Sequence, residues 1–226
     1  TMNQAKRIEI LKVLQADNPD PKSELEYSTP FELLIAVVLS AQATDKSVNE
    51  ATRHIFPIAN TPEKLLEMGP ETFLDHIKKI GLFRTKTKNV MELCQTLVDK
   101  YHSQVPQEFD KLVELPGVGK KTASVVMNVA FGEPKIAVDT HVFRVANRTK
   151  YATGKTPEQV QIKMERYTPL EYRVNAHHWF ILLGRYICKA RAPECWRCPI
   201  KDLCEYKEKL LEKPEKKKVK QMKPGT

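Results

Sequence analysis

Apolar residues recur every three to four positions along almost the whole chain, and no stretch alternates apolar and polar residues with a period of two. That pattern admits an all-α fold and excludes a sheet protein. Thr29-Pro30-Phe31-Glu32 combines a capping box with proline in the first helical turn, so a helix is expected from there to about Ser40. Thr61-Pro62-Glu63 and Thr156-Pro157-Glu158 repeat the start signal, the first closing near Gly69. Further helices are expected over 71–80, stopping at Gly81, and over 84–101, with about ten in all. At 226 residues and 41% hydrophobic content the chain can bury one large core or two modest ones. Its longest apolar run, Leu33 to Leu39, falls far short of the roughly 20 residues that cross a bilayer, and the first residues lack a secretory-type apolar stretch. The expectation is a cytoplasmic protein with no membrane partner.

Charge narrows the partners. Lys and Arg number 37 against 28 Asp and Glu, a formal +9. Residues 213–223 hold six Lys against Glu215 alone, which leaves +4 on the remainder. Such a tail binds polyanions without specificity or keeps a protein in solution. Beyond about Lys207 the helical period is lost, and 208–226 is expected to be a basic, disordered tail.

The first segment with chemical content is Leu115-Pro116-Gly117-Val118-Gly119-Lys120-Lys121-Thr122-Ala123. A short helix from about Phe109 ends at Pro116, two glycines permit a tight hairpin, and helical spacing resumes from Lys120 to about Phe131. Glycines at a helix start leave N–H groups uncovered where the helix dipole is positive, so a phosphate can approach closely. An ordinary helix–helix turn needs one glycine and gains nothing from Gly-Val-Gly followed by two lysines. Gly117, Val118, Gly119 and Lys120 are therefore candidate DNA-backbone contacts.

Lys121 and Asp139 form the second candidate. The helix after Lys121 spans about eleven residues, or roughly 16 Å. Seven residues, Gly132 to Val138, reach roughly 23 Å when extended, enough to return beside the start of that helix. Asp139-Thr140-His141 can then begin the next helix, with both side chains at helix N-termini. The dipole and Lys120 disfavour the ammonium form of Lys121, and the same dipole favours an ionised Asp139. An unprotonated amine beside a carboxylate can attack a sugar C1′ and form a Schiff base.

Cys188, Cys195, Cys198 and Cys204 follow a C-x6-C-x2-C-x5-C pattern within 17 residues, while Cys94 stands apart as a core residue. In an intracellular chain this crowding points to metal. Zinc and a [4Fe-4S] cluster both accept four thiolates, and the single C-x2-C knuckle leans towards iron–sulfur. Lys189 and Arg191, with Arg197 and Lys201 nearby, would be presented to phosphates by a metal-pinned loop.

Together, the run Leu33–Val37 through Ser40-Ala41-Gln42-Ala43-Thr44-Asp45, the 115–123 hairpin, Ala137-Val138-Asp139-Thr140-His141 and the four-cysteine loop closely resemble the endonuclease III branch of the helix-hairpin-helix DNA glycosylases. The likeness extends from Ile8 to about Lys207. It implies an all-α, two-part fold with DNA in a central cleft: a six-helix unit over 22–132, and a unit bearing a [4Fe-4S] cluster built from 1–21 and 133–207. It further implies that Lys121, assisted by Asp139, expels oxidised pyrimidines from double-stranded DNA and cleaves the strand 3′ to the abasic site. By the same likeness Gln42 plugs the gap left by a flipped nucleotide, Leu82 wedges the opposite strand, and His141 belongs to the DNA-facing motif. One monomer per duplex suffices, bound at the nucleoid. Two alternatives compete. A mismatch-adenine glycosylase would carry an acid within 38–42 and lack Lys121, and a non-catalytic DNA-binding or redox-sensing iron–sulfur protein would need no converging lysine and carboxylate.

Overall fold

The computed structural model describes residues 2–216 and contains, among them, eleven α-helices, one turn of 3₁₀ helix at Cys195–Arg197 and no strand. In chain order the helices begin with α1 (Gln4–Asp17), α2 (Pro30–Ser40), α3 (Asp45–Ile55), α4 (Pro62–Met68), α5 (Pro70–Ile77) and α6 (Phe83–Lys100). They continue with α7 (Phe109–Val113), α8 (Lys120–Phe131), α9 (Thr140–Thr149), α10 (Pro157–Tyr167) and α11 (Leu170–Tyr186). The all-α expectation holds. Thr29, Thr61 and Thr156 accept the amides of Glu32, Lys64 and Gln159, so each Thr-Pro pair starts a helix as the spacing requires. A cap of this kind stabilises by about 1 kcal/mol. The stretch expected as a helix over 71–80 ends at Ile77, because the Ile80 amide turns back to the Ile77 carbonyl and redirects the chain into α6.

Apolar side chains gather into two cores. The first centres on α2, whose residues 31–39 are all buried, and collects Leu25, Ile55, Phe73, Leu93 and Val126 around it. A helix apolar on every side has nowhere to go but the interior. The second core joins α9, α10 and α11 to α1 through Ile10, Leu11, Val145, Tyr151 and Phe180. Replacing the fully buried Phe180 with alanine should cost about 3–5 kcal/mol. The buried Arg7 fastens α1 there, with Nε donating to the Tyr151 carbonyl at 2.8 Å and the guanidinium 3.7 Å from the Tyr167 ring centroid.

The chain passes from the first core to the second at Gly132, whose φ of 65° closes α8 in the left-handed region while the Glu133 amide returns to the Met127 carbonyl. The extended segment that follows is pinned from three sides. Asn128 Nδ2 donates to the Lys135 carbonyl at 2.8 Å, the Ile136 amide donates to Glu165 Oε1 at 3.1 Å, and His177 Nδ1 lies 3.2 Å from the Ala137 carbonyl. These contacts set the start of α9 beside the start of α8. No helix among the described residues is long and apolar enough to cross a membrane. Of the expected tail over 208–226, residues 217–226 lie outside the described residues, and 208–216 carry no helix.

Candidate active site and cysteine loop

Between the two cores opens a cavity of about 570 Å³ lined by Gln42, Lys121, Asp139 and His141, with His177 and His178 also on its walls. Lys121 is exposed in the first turn of α8, where Gly119 caps the helix without a side-chain hydrogen bond, so the opening N–H groups of α8 face outward. Gly117 is needed for two reasons. Its φ is 76°, and a Cβ there would stand 2.9 Å from the Asn89 Cβ on α6. A Cβ on Gly119 would meet nothing within 4 Å, so the ground before the α8 amides is open. Lys120 is exposed beside it. Val118 differs from its neighbours: its side chain is buried in the first core and its amide donates to the Leu115 carbonyl at 3.1 Å. It anchors the hairpin from within.

Asp139 caps α9. Its Oδ1 accepts the Val142 amide at 2.8 Å and its Oδ2 lies 3.0 Å from His141 Nδ1. Burial alone would raise its pKa, but the His141 contact, the Val142 amide, and the charges of His141 and Lys121 together hold it down to about 2. The carboxylate is thus an anion at any working pH. Lys121 is near enough for its charge to be felt, yet the two form no ion pair within 4.0 Å among the described residues. The amine is left facing the cavity. Gly184 on α11 permits this arrangement, because a Cβ there would come 2.8 Å from the His141 Cβ and 3.1 Å from its carbonyl. The cavity wall behind is apolar enough that His177 and His178 are held neutral, with pKa values lowered to about 3 and about 4 chiefly by burial.

Gln42 and Leu82 both occupy the left-handed region, with φ of 55° and 58°, and Leu82 is 58% exposed. An isolated leucine at the start of a helix would normally turn inward. Held strain of this kind collects at functional loops. Leu82 does not line the cavity itself, but the turn that carries it adjoins the Gln42 loop, where a Gly81 Cβ would lie 3.8 Å from the Gln42 carbonyl.

The four cysteines of the loop line one hollow, closed by Val145, Leu183 and Ile200. Cys94 is apart, fully buried in the first core. Burial first, and then the neighbouring thiols, pushes Cys198 up to about 11 and raises Cys204. Thiols crowded in this way become thiolates only against a compensating cation. Four thiols around one hollow supply the four ligands that a [4Fe-4S] cluster takes. The loop is fastened from α9. Arg144 donates to the Cys188 and Gly184 carbonyls, and Arg148 donates to the Lys189 carbonyl at 2.6 Å and the Ala190 carbonyl at 2.9 Å, with Cys188 Sγ at 3.6 Å. Of the loop's cations, Lys189 and Arg197 both pair with Glu194, at 2.6 and 3.1 Å, while Arg191 is exposed and forms no ion pair among the described residues.

Lys86, Arg144, Arg148 and the His177–His178 pair escaped the sequence reading. The i, i+4 spacing of the two arginines downstream of Asp139 was their one available signal.

The family model described as HhH-GPD superfamily base excision DNA repair protein matches residues 35–169, and the iron–sulfur binding domain of endonuclease III matches residues 188–204. The cofactor is a [4Fe-4S] cluster, and the second match spans the loop on which Cys188, Cys195, Cys198 and Cys204 line one hollow. Endonuclease III of Escherichia coli strain K12 is 56% identical over 92% of this chain and 99% of its own length, and that of Haemophilus influenzae is 54% identical over the same shares. Among solved structures, a trapped endonuclease III–DNA covalent intermediate superposes with a TM-score of 0.85 at 42% identity, covering 91% of this chain and 97% of the other. A non-covalent endonuclease III–DNA complex gives the same score and identity over 91% and 96%. With the hairpin, the Lys121–Asp139 cavity and the cysteine loop all in place, the chain belongs to the endonuclease III branch of the HhH-GPD superfamily.

Proposed function

We propose that the chain, a base excision repair DNA glycosylase and AP lyase, removes oxidised, ring-saturated or fragmented pyrimidines from duplex DNA with Lys121 as its nucleophile. The observation that carries this reading is one cavity into which an exposed amine and a fixed carboxylate both open. The duplex lies in the crevice between the unit of residues 22–132, which holds seven helices, α2 to α8, rather than the expected six because the five-residue α7 is a helix of its own, and a cluster-bearing unit of residues 1–21 and 133–207. Amides of Gly119 and Lys120 receive a phosphate, with Lys189 and Arg191 on the flank. The damaged nucleotide must leave the stack to reach the amine, and Gln42 and Leu82 fill the space it vacates.

In the reaction the Lys121 nitrogen lone pair forms a bond to C1′ as the C1′–N bond breaks, and that electron pair leaves with the base, which takes up the proton shed by the new secondary ammonium group. The nitrogen lone pair then opens the sugar ring, whose oxygen takes a proton from water, and gives a protonated Schiff base. Loss of a C2′ proton then expels the 3′ phosphate and breaks the strand. A carboxylate with a pKa of about 2 is too weak a base to take a proton from an ammonium group, so Asp139 acts as a fixed negative charge beside the positive charge that builds at C1′. His141 orients it through Oδ2. A bound [4Fe-4S] cluster supplies four covalent tethers that hold the loop. The chain works as a monomer on DNA in the cytoplasm.

Borohydride trapping on an abasic duplex tests the assignment. A covalent adduct should form with the wild type and with Lys120→Ala and be absent with Lys121→Ala. Cleavage and trapping that survive in Lys121→Ala would overturn it.

A further inference from the structure

Lys86 is a lysine where a lysine is costly. It is 4% exposed inside the first turns of α6, and burial lowers its pKa. Its Nζ donates to the Ala41 carbonyl at 2.6 Å, and Ala41 is the residue that ends α2. The negative end of the α2 dipole thus meets the buried cation. Its backbone is engaged as well, since the Lys86 amide donates to the Leu82 carbonyl at 2.9 Å. One residue therefore holds the carbonyl before Gln42 with its side chain and the carbonyl of Leu82 with its main chain.

The choice of carbonyl matters. The Ala43 amide donates to the Ser40 carbonyl at 3.0 Å, closing a turn in which Ala41 has φ −57° and ψ 118° and Gln42 has φ 55°. This is the type II pattern, whose third position favours glycine or asparagine, and here it holds glutamine. Types I and II differ by rotation of the central peptide, the one that carries the Ala41 carbonyl. A donor fixed on that oxygen decides which turn forms.

Resting on the reading of Gln42 and Leu82 as the two inserted side chains, we infer that Lys86 is a positioning residue for strand insertion: it locks the Ala41–Gln42 peptide so that Gln42 stays in its left-handed, projecting conformation at a fixed distance from Leu82. Without the ammonium group the turn relaxes towards type I and Gln42 swings out of register with Leu82. The chemistry at Lys121 is untouched by this change.

The test separates insertion from chemistry, using the full-length, cluster-loaded protein. Single-turnover excision of an oxidised pyrimidine from a duplex needs both inserts. Borohydride trapping on a single-stranded abasic oligonucleotide needs neither. Lys86→Met should lower the duplex rate by about tenfold or more while leaving single-strand trapping within about twofold, because small misplacements of positioning groups carry costs of that size. The fluorescence rise of 2-aminopurine placed beside the lesion should fall in parallel. Lys86→Arg, which keeps a cationic donor, should restore most of the duplex rate. If Lys86→Met does not fold, Lys86→Gln, one atom shorter, makes the same comparison. Equal losses on duplex and single strand, or no loss on the duplex, would overturn the inference. Gln42→Ala and Leu82→Ala run alongside: if they lower the duplex rate and Lys86→Met does not, this inference alone fails. If neither lowers it, the insertion reading falls and takes this inference with it.

Discussion

Helix α9 faces two different regions, and they are built differently. At its N-terminus, Asp139 and His141 look into the cavity and are placed by packed helices: the Asp139 cap, side chains of Asn128, Glu165 and His177 that pin the extended segment from α8, α10 and α11, and the close approach of Gly184. At its other end, Arg144 and Arg148 hold the cysteine loop by long side chains reaching backbone carbonyls. The cavity is a property of the helix framework. The loop, with a single turn of 3₁₀ helix and thiols that need a cation, depends on side chains and on its cofactor. Substitutions in the two regions should therefore separate catalysis from stability.

Asp139→Asn gives the largest expected effect. Asparagine caps a helix as well as aspartate does, so α9 should keep its start and the melting temperature should stay within a few degrees. What is lost is the fixed charge opposite C1′, and turnover should fall by about 100-fold or more. Single-turnover kinetics alongside a thermal melt would check this. A large fall in stability with modest loss of turnover would mean that Asp139 is a cap and little else.

Arg148→Met should do the reverse. It removes two donors to loop carbonyls and one contact to Cys188 Sγ; the two carbonyl bonds are exposed, so together with the contact they are worth about 1–2 kcal/mol in all, below what buried charge-assisted bonds would give. Expected are a lower melting temperature and faster bleaching of the visible iron–sulfur absorption under chelator. Trapping by the intact fraction should change by less than about threefold, because none of the groups lining the cavity is touched. If trapping collapses before absorbance does, the two ends of α9 are more tightly coupled than their contacts imply.

The contrast also explains what could be read from sequence. Thr29, Thr61 and Thr156 announce helices because a cap acts on an amide three residues away. The Gly117–Lys121 hairpin, the Asp139 cap and the cysteine spacing are likewise local. Their side chains act where the sequence puts them. Lys86, Arg148 and His177 act on carbonyls 45, 41 and 40 residues distant, at Ala41, Lys189 and Ala137. Every residue has a carbonyl, so the acceptor leaves no mark in the sequence. Burial was equally silent: Val118 sits within the same hairpin as Gly117 and Gly119, yet its side chain is in the core.

Acid should loosen the cavity side through its histidines. His177 and His178 are neutral when folded, with pKa values lowered from 6.5 to about 3 and about 4. Below pH 6.5 the unfolded chain takes up protons that the folded chain refuses, so stability is full above that pH and declines as the pH falls towards the folded values. Each histidine contributes a slope of up to about 1.4 kcal/mol per pH unit in that window. Urea midpoints between pH 5 and 7.5 should show the decline, and His178→Gln should remove about half of it. His177 is kept in the test protein because it also holds Ala137. An unchanged slope in His178→Gln would place the acid sensitivity elsewhere.

Deleting residues 213–226 should give the smallest effect on catalysis and the clearest one on salt dependence. The stretch 213–223 carries a net +5, more than half of the chain's +9, and every group assigned to chemistry or to the cysteine loop lies before it. Each phosphate neutralised contributes about 0.9 to the slope of log K against log salt on duplex DNA, so loss of the tail's six Lys can flatten that slope by at most about 5. Turnover at saturating damaged duplex should stay within about twofold, because charges that contact undamaged and damaged DNA alike alter encounter and leave the bound transition state unchanged. Salt titrations of binding to undamaged duplex, set beside single-turnover rates for both lengths, would measure the two quantities independently. A severe loss of single-turnover rate at saturating DNA would mean that the tail reaches the cavity, and the framework around α8 and α9 would no longer be sufficient for the reaction.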